Sequence, residues 1–171
     1  VFDDFIACAE TLIKKNYTST ERLVSAGGSN GGLLTLATML QRPDLFGAVT
    51  SSVPVTDMLR YRVMTHGNKP SYGEAWTPDY GKPEESAQDF MASFDYSPLH
   101  NIKKNTYYPP SLVMTADHDD RVVPSHSYKF VSTLQNQASA DSLSFLKVER
   151  NAGHGTGAGR QAATASCRYT R

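Results

Sequence analysis

Arg22-Leu23-Val24-Ser25-Ala26-Gly27-Gly28-Ser29-Asn30-Gly31-Gly32-Leu33-Leu34 is the stretch that decides the fold. Its first five residues are short and apolar enough for a buried strand. The glycines break that strand, and an apolar helix follows through Leu33, Leu34, Leu36, Ala37, Met39 and Leu40 until Pro43 closes it. Gly27-x-Ser29-x-Gly31 therefore lies between a strand and a helix, the setting in which this pattern places a serine on a strained turn with its hydroxyl exposed. Glycines are expected on both sides of Ser29 because a side chain there would collide with neighbouring backbone. The turn also sets Ser29 near a helix N-terminus, where the Asn30 N–H can help stabilise an oxyanion. A structural Gly-rich turn and a phosphate-cradling loop are the competing readings, and no Lys-Ser/Thr follows the glycines to support a Walker-type loop.

Working outward, residues 1–15 carry Phe2, Phe5, Ile6, Ala9, Leu12 and Ile13 at helical spacing, with Lys14 and Lys15 at the negative end of the helix dipole. Further strands are expected at Ala48–Val53, Ser111–Ala116 and Leu143–Val148. Helices are expected over 57–64, 84–94 and 125–138. Residues 65–83 hold three prolines and three glycines and read as a long irregular loop of the kind that often binds ligands. Strand and helix alternate throughout, which predicts an α/β fold with a parallel sheet. Residues 156–171 have no large aliphatic residue and no apolar face, so 1–155 are expected to form the domain and 156–171 an atypical, disordered tail.

The 171 residues suit one domain, and 39% hydrophobic against 20% charged residues argues against a disordered chain. Seventeen Lys+Arg balance seventeen Asp+Glu, which removes the long-range field that nucleic-acid or anionic-membrane binding needs. No apolar run approaches the roughly 18–20 residues of a membrane span. Two cysteines near opposite ends cannot make a disulfide framework and point to a reducing compartment, although Asn16-Tyr17-Thr18 is a glycosylation triplet that argues the other way.

A serine nucleophile needs a base, and the base needs an orienting carboxylate. Asp117-His118-Asp119-Asp120 follows the third strand and Ala152-Gly153-His154-Gly155 the fourth, in the Ser, acid, His order of α/β-hydrolases. Each loop falls at the carboxyl edge of a parallel sheet, where α/β sites lie. The residues alone leave Asp119 and Asp120 as alternative acids, and a metal site at His118 and its aspartates as a minor alternative. His66, His100, His118 and His126 compete with His154, but none sits in a Gly-flanked loop after the last strand.

Gly27–Leu34, Gln41–Gly47, Tyr96-Ser97-Pro98-Leu99-His100-Asn101, Thr115–Pro124 and Ala152–Gly155 closely resemble the prolyl oligopeptidase family, over roughly residues 1–155. Trp76-Thr77-x-Asp79-Tyr80-Gly81 and the Asn after the serine favour it over the related oligopeptidase B. The resemblance implies the later strands of an α/β-hydrolase catalytic domain. The early strands, a second oxyanion donor and a β-propeller would lie outside these residues. It implies Ser29 as nucleophile, Asp119 as acid, His154 as base and the Asn30 N–H as an oxyanion donor. It also implies a proline pocket walled by Trp76, Tyr80, Val55 and Val122, and Arg121 as the donor to a substrate carbonyl. It implies short proline-containing peptides as substrates, no metal or organic cofactor, and a cytoplasmic setting. An esterase or a peptidase of other specificity, and a fragment inactive by itself, are the alternatives.

Overall fold

The computed structural model describes residues 1–64 and 72–155. Helix α1, Phe2–Lys14, has Asp3 and Asp4 in its first turn and Lys14 in its last, as the dipole favours. Strand β1, Val24–Gly28, leads through Ser29 into α2, Asn30–Gln41, and then β2, Ala48–Ser52. A short helix α3, Thr77–Tyr80, and helix α4, Ala87–Tyr96, precede β3, Ser111–Ala116. Helix α5, Ser125–Gln137, and β4, Ser144–Glu149, complete the order. The four strands run parallel in the sequence β1-β2-β3-β4. The chain thus has the expected α/β architecture.

The main core joins α1, α2 and α5 to one face of the sheet, through Ala9, Leu36, Met39, Val49, Val113, Phe130 and Leu134. The register puts Val24, Ala26, Thr50, Leu112 and Phe145 on the opposite face. Val24 and Phe145, on the two outer strands, are 54% and 56% exposed, so that face is open at its edges, while Met114 and Ala116 on it are buried. A second cluster, Leu33, Val55, Met58, Tyr61 and Val122, lies under the strand ends, with Phe2, Trp76, Tyr80 and Tyr96 packed on it.

Several elements differ from the sequence expectation. β1 sits two residues downstream, because Thr20–Arg22 form a 3-10 turn and the glycines extend the strand. Leu12 leaves the buried side of α1 and is 42% exposed. Residues 57–64 make successive turns and not a helix. The Thr56 and Asp57 amides bond to His126, the Met58 amide bonds to Ser97 Oγ, and Gly73 packs against the Tyr61 carbonyl. Within the loop expected over 65–83, Tyr72–Trp76 form a 3-10 turn that continues into α3. Pro78 falls in the first turn of α3, and Gly81 ends it at φ +74 with its N–H on Thr77 O. Proline early and glycine late are helix punctuation as well as loop signals. α4 starts three residues later than expected because Ser86 caps it, accepting from the Asp89 N–H at 3.2 Å. The expected tail over 156–171 lies outside the described residues. Among the described residues no helix is long and apolar enough to cross a membrane.

Candidate active site

Ser29 stands between β1 and α2 at φ 56, ψ −119, a conformation uncommon for a residue with a side chain. Its N–H donates to Ser52 O at 2.8 Å, and its carbonyl accepts from Gly32 and Leu33 in the first turn of α2. Two of the glycines in this turn are tightly packed. A methyl on Gly27 would lie 2.2 Å from Gly31 O and 2.9 Å from Thr35 Cγ2. Gly31, by contrast, has nothing within 4 Å of such a methyl, so the expected collision on both sides of Ser29 occurs only at Gly27. The second tight position is Gly32, where a methyl would meet Ser51 Oγ at 2.8 Å and Pro54 Cβ at 2.9 Å.

His154, in the loop after β4, places Nε2 3.0 Å from Ser29 Oγ and Nδ1 2.8 Å from Asp119 Oδ2. With its Nδ1–H donating to Asp119, Nε2 remains the acceptor for the serine proton. Asp119 is fully buried, and its Oδ1 accepts from the Arg121 and Val122 N–H groups at 3.0 and 2.9 Å. These bonds fix the carboxylate and offset its burial. Asp119, not the neighbouring Asp120, is therefore the carboxylate on the imidazole. The two loops are joined beyond the sheet. The Asp117 N–H donates to Glu149 O, the His118 N–H to Ala152 O, and Asp117 Oδ1 accepts from the Ala152 N–H at 3.3 Å. His118 donates to the same Oδ1, and this bond, ahead of the backbone ones, holds the Asp117 carboxyl below its ordinary range. Asp117 thus pins the histidine loop, a role the sequence pattern did not signal.

The remaining histidines serve elsewhere. His100 bonds Ser97 Oγ through Nδ1, His118 pairs with Asp117, and His126 is buried and accepts from the Thr56 and Asp57 N–H groups. His66 lies outside the described residues.

A cleft of about 420 Å³ opens on Ser29, lined by Asn30, Val55, Tyr72, Ala75, Trp76, Asp79, Tyr80 and Arg121. Val122 is buried in the same cluster as Val55 and is not among the lining residues. Tyr72, Ala75 and Asp79 are additions that sequence reasoning missed. The Tyr80 hydroxyl donates to Asn30 Oδ1 at 2.5 Å, and burial pushes its pKa up to about 12, which keeps the donor proton in place. The Tyr61 and Tyr80 rings meet in a T-shaped contact, and the Tyr61 hydroxyl donates to Gly81 O at 2.6 Å. Arg62 bonds Glu74, Glu84 and Glu85, bracketing the segment that carries Trp76 and Tyr80. Asn30 is the first residue of α2, a position whose N–H has no partner within the helix. Among the described residues, no three His, Cys, Asp or Glu side chains converge on a metal position.

A family model described as the prolyl oligopeptidase family matches residues 1–169. The chain belongs to the prolyl oligopeptidase family. It is 50% identical over 157 residues to a prolyl endopeptidase of Elizabethkingia meningoseptica, covering 92% of this chain and 21% of that protein. A solved structure from a study of two prolyl endopeptidases and their inter-domain dynamics superimposes with a TM-score of 0.86 at 46% identity, covering 97% of this chain and 24% of that one. Oligopeptidase B from Leishmania major matches with a TM-score of 0.82 at 29% identity, over 90% of this chain and 20% of that one. The chain thus spans about a fifth of the length of these family members.

Proposed function

We propose that these residues form the C-terminal part of the catalytic domain of a serine peptidase that cleaves short peptides on the carboxyl side of proline. The observation that carries this reading is the Ser29–His154–Asp119 chain of 3.0 and 2.8 Å contacts at the mouth of a cleft walled by Trp76, Tyr80 and Val55. His154 Nε2 takes the proton as Ser29 Oγ attacks the scissile carbonyl, and Asp119 holds the imidazole in the required tautomer and offsets its charge. The Asn30 N–H supplies one donor to the developing oxyanion. The tetrahedral intermediate collapses when His154 returns the proton to the leaving amine. Water then hydrolyses the acyl-enzyme by the same route.

Specificity in this reading comes from shape. A prolyl ring is flat, apolar and without an N–H, so an indole face with aliphatic walls selects it, and Arg121, which lines the same cleft, serves as the donor to a substrate carbonyl in this reading. The test uses a chain of the length of its relatives that carries these residues, assayed on peptides differing only in proline or alanine before the scissile bond. Preference for proline of ~10-fold or more supports the assignment. Equal rates on both point to a different specificity.

The sheet face open at its edges and the fifth of family length favour a second reading for the isolated 171 residues: a complete-looking triad on a sheet that needs more strands to be stable and active. Comparing labelling of the isolated and family-length chains by a serine-directed phosphonate separates the two.

A further inference from the structure

His126 is a buried histidine outside the triad, and its contacts converge on the loop that supplies Val55. Its Nδ1 accepts from two consecutive backbone groups, the Thr56 N–H at 3.2 Å and the Asp57 N–H at 3.1 Å. Its carbonyl accepts from Thr56 Oγ1 at 2.7 Å. These three bonds tie the loop after β2 to the start of α5, the helix that follows Arg121 and Val122. The loop needs such a tie. Val53 enters it at φ 44, a backbone region that a β-branched residue avoids, and such strain persists only where the surroundings over-determine it. Ser97 Oγ holds the same loop from another side, accepting from the Met58 N–H and donating to Thr56 O.

We propose that His126 is a positioning residue for substrate selection, setting the Val55 wall of the cleft against the loop that carries Asp119 and Arg121. An imidazole suits the task because one ring nitrogen accepts both N–H groups while the proton sits on the other. Burial, opposed only in part by Asp57 and Asp119, lowers the pKa of His126 to about 4, so Nδ1 stays an acceptor near neutrality. The inference rests on the proline-peptidase reading and goes beyond it by naming what holds one wall of the pocket.

The test uses a family-length chain and the variants His126→Leu, which removes the acceptor, and His126→Asn, whose Oδ1 replaces Nδ1. The expected result is a rise in KM for proline peptides of about tenfold in His126→Leu. Its kcat and its Ser29 labelling by a small phosphonate stay within about twofold of the parent, and His126→Asn recovers most of the loss. An unchanged KM in His126→Leu, or equal defects in the Leu and Asn variants, overturns the proposal. If His126→Leu does not fold, Thr56→Val decides: a raised KM at constant kcat supports the role, and an unchanged KM removes it. Absence of phosphonate labelling in the parent protein would count against the serine-peptidase reading itself, separately from His126.

Discussion

The glycines around Ser29 make unequal demands, and Gly27→Ala beside Gly31→Ala measures the difference. Both replacements add one methyl within two residues of Ser29, and neither glycine has a positive φ. At Gly27 the methyl would sit 2.2 Å from the Gly31 carbonyl oxygen, where ordinary contact begins at 3.4 Å. Backbone must therefore move by roughly 1 Å, since no flexible side-chain end can yield, and overpacking of this kind costs about 1–3 kcal/mol. The segment that moves carries Ser29, whose hydroxyl lies 3.0 Å from His154 Nε2. A displacement of about 1 Å breaks that bond and can cost on the order of 100-fold in rate. At Gly31 the methyl meets nothing within 4 Å, and in the first turn of a helix alanine is better than glycine by up to about 1 kcal/mol. The assay is thermal unfolding together with the rate of phosphonate labelling at Ser29. Gly27→Ala should lose stability and label ~100-fold more slowly, whereas Gly31→Ala should unfold no earlier and label at the parent rate. Equal behaviour of the two variants refutes the steric reasoning.

Asp119→Asn leaves the fold in place but removes the carboxylate that fixes the His154 tautomer, and steady-state kinetics should show kcat lower by about 10³–10⁴. Trp76→Ala should reduce kcat/KM for proline peptides by about 10-fold or more, with little effect on a small activated ester, as a substrate panel would show. Equal loss on both substrates would assign Trp76 to the core. His126 also makes a pH prediction, because its folded pKa near 4 lies below the ordinary value of 6.5, chiefly through burial, with Asp57 and Asp119 opposing and Lys129 adding to the shift. The unfolded chain binds the extra proton, so this contribution is complete above about pH 6.5 and fades as pH falls towards 4, by at most about 3 kcal/mol. Denaturant titrations of His126→Asn between those limits should show a flatter pH dependence than the parent.

The sheet and the order of its loops were legible because apolar runs bounded by glycine and charge mark parallel strands. The serine, acid and histidine each follow one of those strands. Asp119 could not be separated from Asp120 by composition, since only the fold shows which carboxylate turns inward to meet two backbone N–H groups and His154. Residues 57–64 carry a helix-like pattern but form turns, because amides here are claimed by side chains distant in sequence, His126 and Ser97, which local periodicity cannot register. α3 is not legible locally because proline and glycine signal both loops and helix ends, and the Tyr61 and Arg62 contacts that hold this segment come from outside the window. Gly31 and Val122 show the limit of carrying a motif over: the pattern places them, but packing decides which of its residues is crowded and which faces the cleft.

The central claim, that His154 activates Ser29 as a nucleophile, is tested most directly by treating a family-length chain with a fluorophosphonate and locating the adduct by peptide mass spectrometry. Ser29→Ala and His154→Ala proteins serve as controls. The expected result is stoichiometric modification at Ser29, absent in Ser29→Ala and slowed by ~10³ or more in His154→Ala. Modification at another residue, or a Ser29 adduct that forms as fast without His154, would contradict it.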